Sequence, residues 1–202
     1  MTLTTWFSLV AICCTGAMSP GPSLAVVVRH TISSGRTHGM VTALFHGAGV
    51  AAWAMSTIFG LAILVAESPF LYKFITYAGA FYLAWLGINA IRSKGREQLN
   101  LGKERASLSE AARDGMMISL LNPKLAIFFI ALFSQFVSTS LTLDDQLVMI
   151  ATAGIIDSLW YSLVALALSS SLIFDTMQKK SVAIDRASGV ILIGLSLRVV
   201  TL

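Results

Sequence analysis

Long apolar runs separated by short charged stretches set the pattern of this chain. A helix needs about 20 apolar residues to cross the hydrocarbon core of a bilayer. Five segments read that way, at roughly 4–28, 39–66, 74–91 (or from Phe70), 115–137 and 146–173. The second and third hold no Asp, Glu, Lys or Arg; the fourth holds only Lys124 and the fifth only Asp157. A sixth span, about 186–202, is predicted from the uncharged run Ala187 to Leu197, with Arg198 near enough to the end to snorkel to the interface. The expected fold is an all-α integral membrane protein of six transmembrane helices.

Composition supports this picture. Hydrophobic residues make up 56% of the 202 residues and charged residues 12%, and the mean hydropathy is +0.80. A soluble chain of this size could not hide so much apolar surface, which argues against a soluble enzyme or a disordered chain. The isoelectric point of about 9.3 invites a nucleic-acid reading, but the net charge is only +4 and the basic residues sit in short loops. Eleven of the fourteen Lys and Arg residues fall on the odd-numbered loops, so those loops are expected to face the cytoplasm and both termini the outside. The first 28 residues carry no charge; lacking a basic n-region, they read as a retained span rather than a secretory signal. Cys13 and Cys14 are adjacent and read as small hydrophobes.

The chain looks duplicated. Gly21-Pro22-Ser23-Leu24-Ala25 resembles Asn122-Pro123-Lys124-Leu125-Ala126 at an offset of 101, while Gly47/Gly154, Trp53/Trp160 and Gly87/Gly194 pair at an offset of 107. This predicts a first three-helix repeat over 1–91, a cytoplasmic linker over 92–114 and a second repeat over 115–202. Three spans is an odd number, so the second repeat would enter the membrane inverted. Inverted repeats recur in transporters.

Candidate chemistry sits at helix breaks. Proline removes a backbone hydrogen bond and clashes with the preceding turn. Pro20, Gly21, Pro22 and Ser23 should therefore open span one, and Asn122, Pro123 and Lys124 span four. Freed backbone groups at membrane depth are tolerated only where protein or a water-filled cavity satisfies them, and paired breaks point to a midplane binding site. Asp157 is the only acid well inside a span. It is expected to face the bundle interior, where it binds an ammonium group, carries a coupling proton, or makes a structural contact to Lys124 or Ser158. Lys124 either holds a substrate carboxylate, pairs with Asp157, or snorkels to the interface. Asn122 caps its helix or binds ligand. His46 is a packing residue or a proton relay; Gly47 and Gly49 permit close helix contact. Trp53 and Trp160 either line a pocket or pack in the interior, and Asn89 reads as an interhelical or interfacial hydrogen bonder. No CxxC, HExxH or P-loop pattern is present, and no cofactor is expected.

Ser19-Pro20-Gly21-Pro22-Ser23 with Arg29, Gly35-Arg36 and Gly39 resembles the signature of the LysE/RhtB family of amino-acid exporters. So do Gly79-Ala80, Leu83 and Leu86-Gly87; Leu121-Asn122-Pro123-Lys124 with Phe128-Phe129 and Gln135-Phe136; Asp157 with Trp160; and Gly189, Gly194-Leu195 and Arg198. Ser23 stands where relatives often carry Asn, and His46 where many carry something smaller. The resemblance implies a bacterial inner-membrane exporter, not an enzyme, that moves amino acids or related small metabolites by exchange with protons. Its partners would be that substrate, the proton and membrane lipid, with no nucleic acid; no residue argues for or against a homodimer. The rival reading is a metal or inorganic-ion exporter, which needs further ligands converging in the membrane.

Overall fold

The computed structural model describes residues 1–19, 21–92, 106–138 and 141–168, and isolated helical positions between Val182 and Leu197. The described residues are all helical or connecting. The helices are α1 (Leu3–Met18), α2 (Pro22–Ser34), α3 (Arg36–Glu67), α4 (Pro69–Ile91), α5 (Leu108–Leu120), α6 (Pro123–Phe133) and α7 (Leu143–Ala167).

Helix boundaries follow local chemistry. Thr2 caps α1 by accepting from the Thr5 N–H at 3.2 Å. Ser19, the residue before Pro20, is extended, as steric crowding by the proline ring requires. Pro22 and Pro123 then start α2 and α6, where a missing N–H costs nothing. Gly35 ends α2 with φ +99°, a left-handed conformation suited to glycine. Ser107 with Glu110, and Thr142 with Asp145, form reciprocal capping boxes that start α5 and α7. As a result α5 begins seven residues before the expected span and takes the end of the expected linker.

Two helices among the described residues are long and apolar enough to cross a membrane, Arg36–Leu61 within α3 and Leu143–Ala167. Among the described residues there are four if each bent pair counts as one span. Those pairs are α1 with α2, bent by 62°, and α5 with α6, bent by 56°. The expected third span falls on α4, and the sixth on residues only partly described. Phe70, Phe74, Phe81 and Trp85 of α4 and Leu143, Leu159 and Leu163 of α7 are exposed. That much outward apolar surface suits contact with lipid.

Contacts fix the helix directions. Trp6 Nε1 donates to Thr152 Oγ1 at 3.1 Å and the Met1 amine pairs with Asp145, so α1 and α7 run parallel. Gly115 lies against the backbone of Thr42, and Trp53 Nε1 donates to the Ser119 carbonyl at 3.1 Å, so α5 and α3 also run parallel. α3 and α7 run antiparallel: Gly39 lies against Ala165, and Gly47 against Gly154 and Ser158. A Cβ at Gly47 would fall 2.7 Å from the Gly154 carbonyl oxygen. Near the chain end, Gly87 of α4 meets Gly189 in the same manner.

The core is divided. One cluster gathers Leu9, Val50, Ile58, Phe128, Phe133 and Met149 from α1, α3, α6 and α7. The other gathers Leu24, Val27, Ala43, Tyr161 and Val164 from α2, α3 and α7. Along α3 and α7 they are separated by one polar layer.

Candidate functional site

That layer holds His46 and Asp157. On α3, His46 lies between Ala43 and Val50; on α7, Asp157 lies between Ala153 and Tyr161, so each is flanked by one residue from each apolar cluster. His46 is 0% and Asp157 5% exposed. His46 Nδ1 stands 2.6 Å from Asp157 Oδ2. A carboxylate oxygen accepts, so Nδ1–H donates; the neutral ring then presents Nε2 as an acceptor and the imidazolium presents a second donor. Nε2 is buried and has no hydrogen-bond partner among the described residues. Tyr161 meets the imidazole edge-on at 5.0 Å. Gly47 and Gly154 let α3 and α7 approach closely enough for this short contact to form. Of the partners weighed for Asp157, neither Lys124 nor Ser158 is its hydrogen-bond partner; His46 is.

The two helix breaks face each other. Lys124 Nζ donates to Ser19 Oγ at 2.9 Å, and Asn122 Nδ2 reaches Ser23 Oγ at 3.4 Å. Ser23 and Asn122 are buried, whereas Pro22 is exposed. Gly21 stands beside the Lys124 ammonium, 3.8 Å from where a Cβ would be. Pro20 lies outside the described residues. Pro123 starts α6.

The breaks differ in their caps. Asn122 Oδ1 accepts from the Lys124 N–H at 3.0 Å and so caps α6. Gly21 precedes α2 with no side chain, and no side-chain cap bonds that end. The first N–H groups of α2 thus carry the positive end of the helix dipole toward the Lys124 side of the break. The arrangement combines helix N–H groups, an ammonium, two hydroxyls and an amide, which suits a small ligand bearing a carboxylate.

Ser19, which follows the end of α1, holds Lys124. Gly49 packs on Ser119, a close contact its lack of a side chain allows. Trp53 is partly buried, with its N–H on the Ser119 carbonyl. Trp160 packs on the second cluster, its Nε1 buried without a partner among the described residues. Asn89 is exposed. Among the described residues no three His, Cys, Asp or Glu converge as a metal ion would require.

A family model for LysE type translocators matches residues 14–202. The chain belongs to that family. It resembles the threonine efflux protein of Escherichia coli (strain K12), with 28% identity over 152 residues, 73% of this chain and 74% of that protein. It is 23% identical over 189 residues to the membrane protein YrhP of Bacillus subtilis, covering 89% of this chain and 90% of that one. A membrane protein of Vibrio cholerae is 30% identical over 139 residues, 68% of this chain and 67% of its own length. No solved structure matches. The family and these relatives support a membrane translocator that exports amino acids or similar small molecules.

Sequence reasoning missed three residues in and around these polar places. Tyr161 carries no motif. His30 and Asp114, which pair near one end of the bundle, were readable only as polar residues at the edges of spans one and four.

Proposed function

We propose that the protein is a proton-coupled exporter of small amino acids in the bacterial inner membrane. Its six spans would form two inverted three-helix repeats, 1–91 and 115–202, joined by a cytoplasmic linker. The meeting of Gly47 with Gly154 supports the inversion. These residues are equivalent in the repeat, their helices run antiparallel, and equivalent residues touch only where a two-fold axis passes between them. The parallel pairs α1–α7 and α3–α5 exchange under the same axis. The Gly35 turn and the Arg29–Asp114 contact lie at one end of the bundle; by the distribution of Lys and Arg, that end is cytoplasmic.

The observation that carries the reading is the facing of the two breaks around Ser19, Ser23, Asn122 and Lys124. A substrate carboxylate sits against the uncapped end of α2 and the Lys124 ammonium. The substrate amine competes with His46 for the Asp157 carboxylate. Protonation from the outside neutralises Asp157 and frees the amine there. Proton loss to the cytoplasm restores the carboxylate for the next substrate. Rocking of one repeat against the other at the glycine crossing alternates access. Threonine is the first cargo to test, because relatives bear the name threonine efflux protein.

The test uses inverted membrane vesicles, an imposed pH gradient and radiolabelled L-threonine alongside other amino acids. Wild-type vesicles accumulate label with the gradient, and Asp157→Asn vesicles do not. Gradient-driven uptake at the wild-type rate in Asp157→Asn would remove Asp157 from the mechanism.

A further inference from the structure

The bundle contains a second histidine–aspartate pair, and the central pair does not account for it. His30 of α2 is 1% exposed, and its Nε2 stands 3.0 Å from Asp114 Oδ2 of α5. Arg29 donates to the same oxygen at 2.6 Å, and Arg113 reaches the other oxygen at 3.4 Å. Asp114 is about one-quarter exposed. The pair is therefore dry at the imidazole and wet at the carboxylate, as a boundary between interior and water should be.

Two further observations tie this pair to the central one. His30 Nδ1 and His46 Nε2 are both buried without a hydrogen-bond partner among the described residues. Buried polar atoms are nearly always satisfied, so such exceptions call for an explanation, and a chemical role is one. The packing also places the helices of the two pairs against each other. Gly115, next to Asp114, lies against the backbone of Thr42. Thr42 is 0% exposed and one turn before His46 on α3, a rise of about 6 Å. Its hydroxyl donates to the His38 carbonyl at 2.9 Å. Among the described residues, the charged and titratable groups around this end include Arg29 and His30 from α2, Glu110, Arg113 and Asp114 from α5 and His38 from α3, with Arg29 Nη2 also 3.2 Å from His30 Nε2 and Tyr161 of α7 against His46.

We propose that His30–Asp114 is the proton station through which the central His46–Asp157 pair exchanges protons with the aqueous phase at the Arg29 end. The inference rests on the proton-coupled reading above. The contacts from His30, Arg113 and Arg29 hold the Asp114 carboxyl below the usual carboxylate range. A proton leaving the central pair is taken up by His30, forming an imidazolium beside the Asp114 carboxylate. It then passes to water at the Arg29 end. Thr42 and water admitted beside it bridge the intervening turn.

The experiment compares full-length wild type, His30→Gln, Asp114→Asn and Asp157→Asn in proteoliposomes with radiolabelled L-threonine and a labelled amino-acid mixture. Two rates are measured: exchange of label at equal pH, which needs no net proton movement, and uptake driven by a pH gradient. His30→Gln and Asp114→Asn are expected to keep exchange near the wild-type rate. Both should lose gradient-driven uptake by about tenfold and lose its dependence on the pH at the Arg29 side. Exchange is the control for folding, and two variants on different helices guard against failure of either one. Wild-type gradient-driven rates in both variants would overturn the proposal, as would an equal fall in both rates, the signature of a purely structural latch. Asp157→Asn separates the two claims. If it alone abolishes coupling, the proton-coupled reading stands and the His30–Asp114 station falls. If it leaves coupling intact, the underlying reading fails.

Discussion

The facing breaks and the α3–α7 crossing are both polar places in an apolar bundle, yet they are built in opposite ways. At the crossing, glycine bears on glycine, the surroundings are fully buried, and the His46–Asp157 contact is short at 2.6 Å. At the breaks, the Asn122–Ser23 contact is long at 3.4 Å, Pro22 is exposed, and one helix end has no side-chain cap. A tight, desolvated pair can hold or release a proton with little rearrangement. A loosely bonded group of donors can exchange its partners for a ligand. On the proposed reading, pivot and proton site coincide, while cargo recognition is placed where bonds are cheap to remake.

This comparison can be broken most forcefully at the crossing. Gly47→Ala would set a Cβ 1.9 Å from Ser158 Oγ and 2.7 Å from the Gly154 carbonyl oxygen. It should destabilise the protein by about 1–3 kcal/mol, read as a lower unfolding temperature in detergent. Gly60→Ala, with nothing within 4 Å of the added carbon, is the control and should unfold no earlier than wild type.

The next largest effect lies at the far end of α6. The Tyr72 hydroxyl donates to the carbonyls of Ser134 and Val137, fixing that half-helix to α4. Tyr72→Phe leaves these carbonyls short of a donor and should cost about 1–3 kcal/mol. The same unfolding measurement checks it. Gradient coupling should survive, because neither polar group is touched.

At the breaks the expected stability effects are smaller. Asn122→Ala removes the α6 cap and should cost about 1 kcal/mol. Lys124→Met should leave the unfolding temperature nearly unchanged while raising KM for L-threonine about tenfold at similar kcat, the pattern expected when a contact equal in ground and transition states is lost. A large stability loss with unchanged KM would mean that Lys124 holds the fold and not the cargo.

Much of this was legible in the sequence. Proline chemistry located both breaks, since Pro20, Pro22 and Pro123 can sit only at helix starts or interruptions. The apolar runs located α3 and α7. Side-chain pairing was not legible. Asp157 needed a partner, and Lys124, Ser158 and His46 were all within the bundle. The choice of His46 depends on how α3 and α7 cross, which Gly47 and Gly154 set across more than a hundred residues. Helix ends were also misjudged, because apolarity ends before the helix does. α2 runs on to Ser34 past Arg29, and α5 starts at Leu108 because Ser107 and Glu110 cap it there. Arg29, His30 and Asp114 pair with one another in these polar extensions, where hydropathy gives no signal.

The most direct test is to tie the breaks together. In a chain with Cys13→Ala and Cys14→Ala, Ser23→Cys and Asn122→Cys are joined in the membrane by a short bis-methanethiosulfonate linker, which attaches to each thiol through a reducible disulfide, while L-threonine efflux is followed. The linker should bridge the two positions, stop efflux, and release it on reduction. Failure to bridge, or full efflux from the bridged protein, would contradict a cargo site formed where the two interrupted helices face each other.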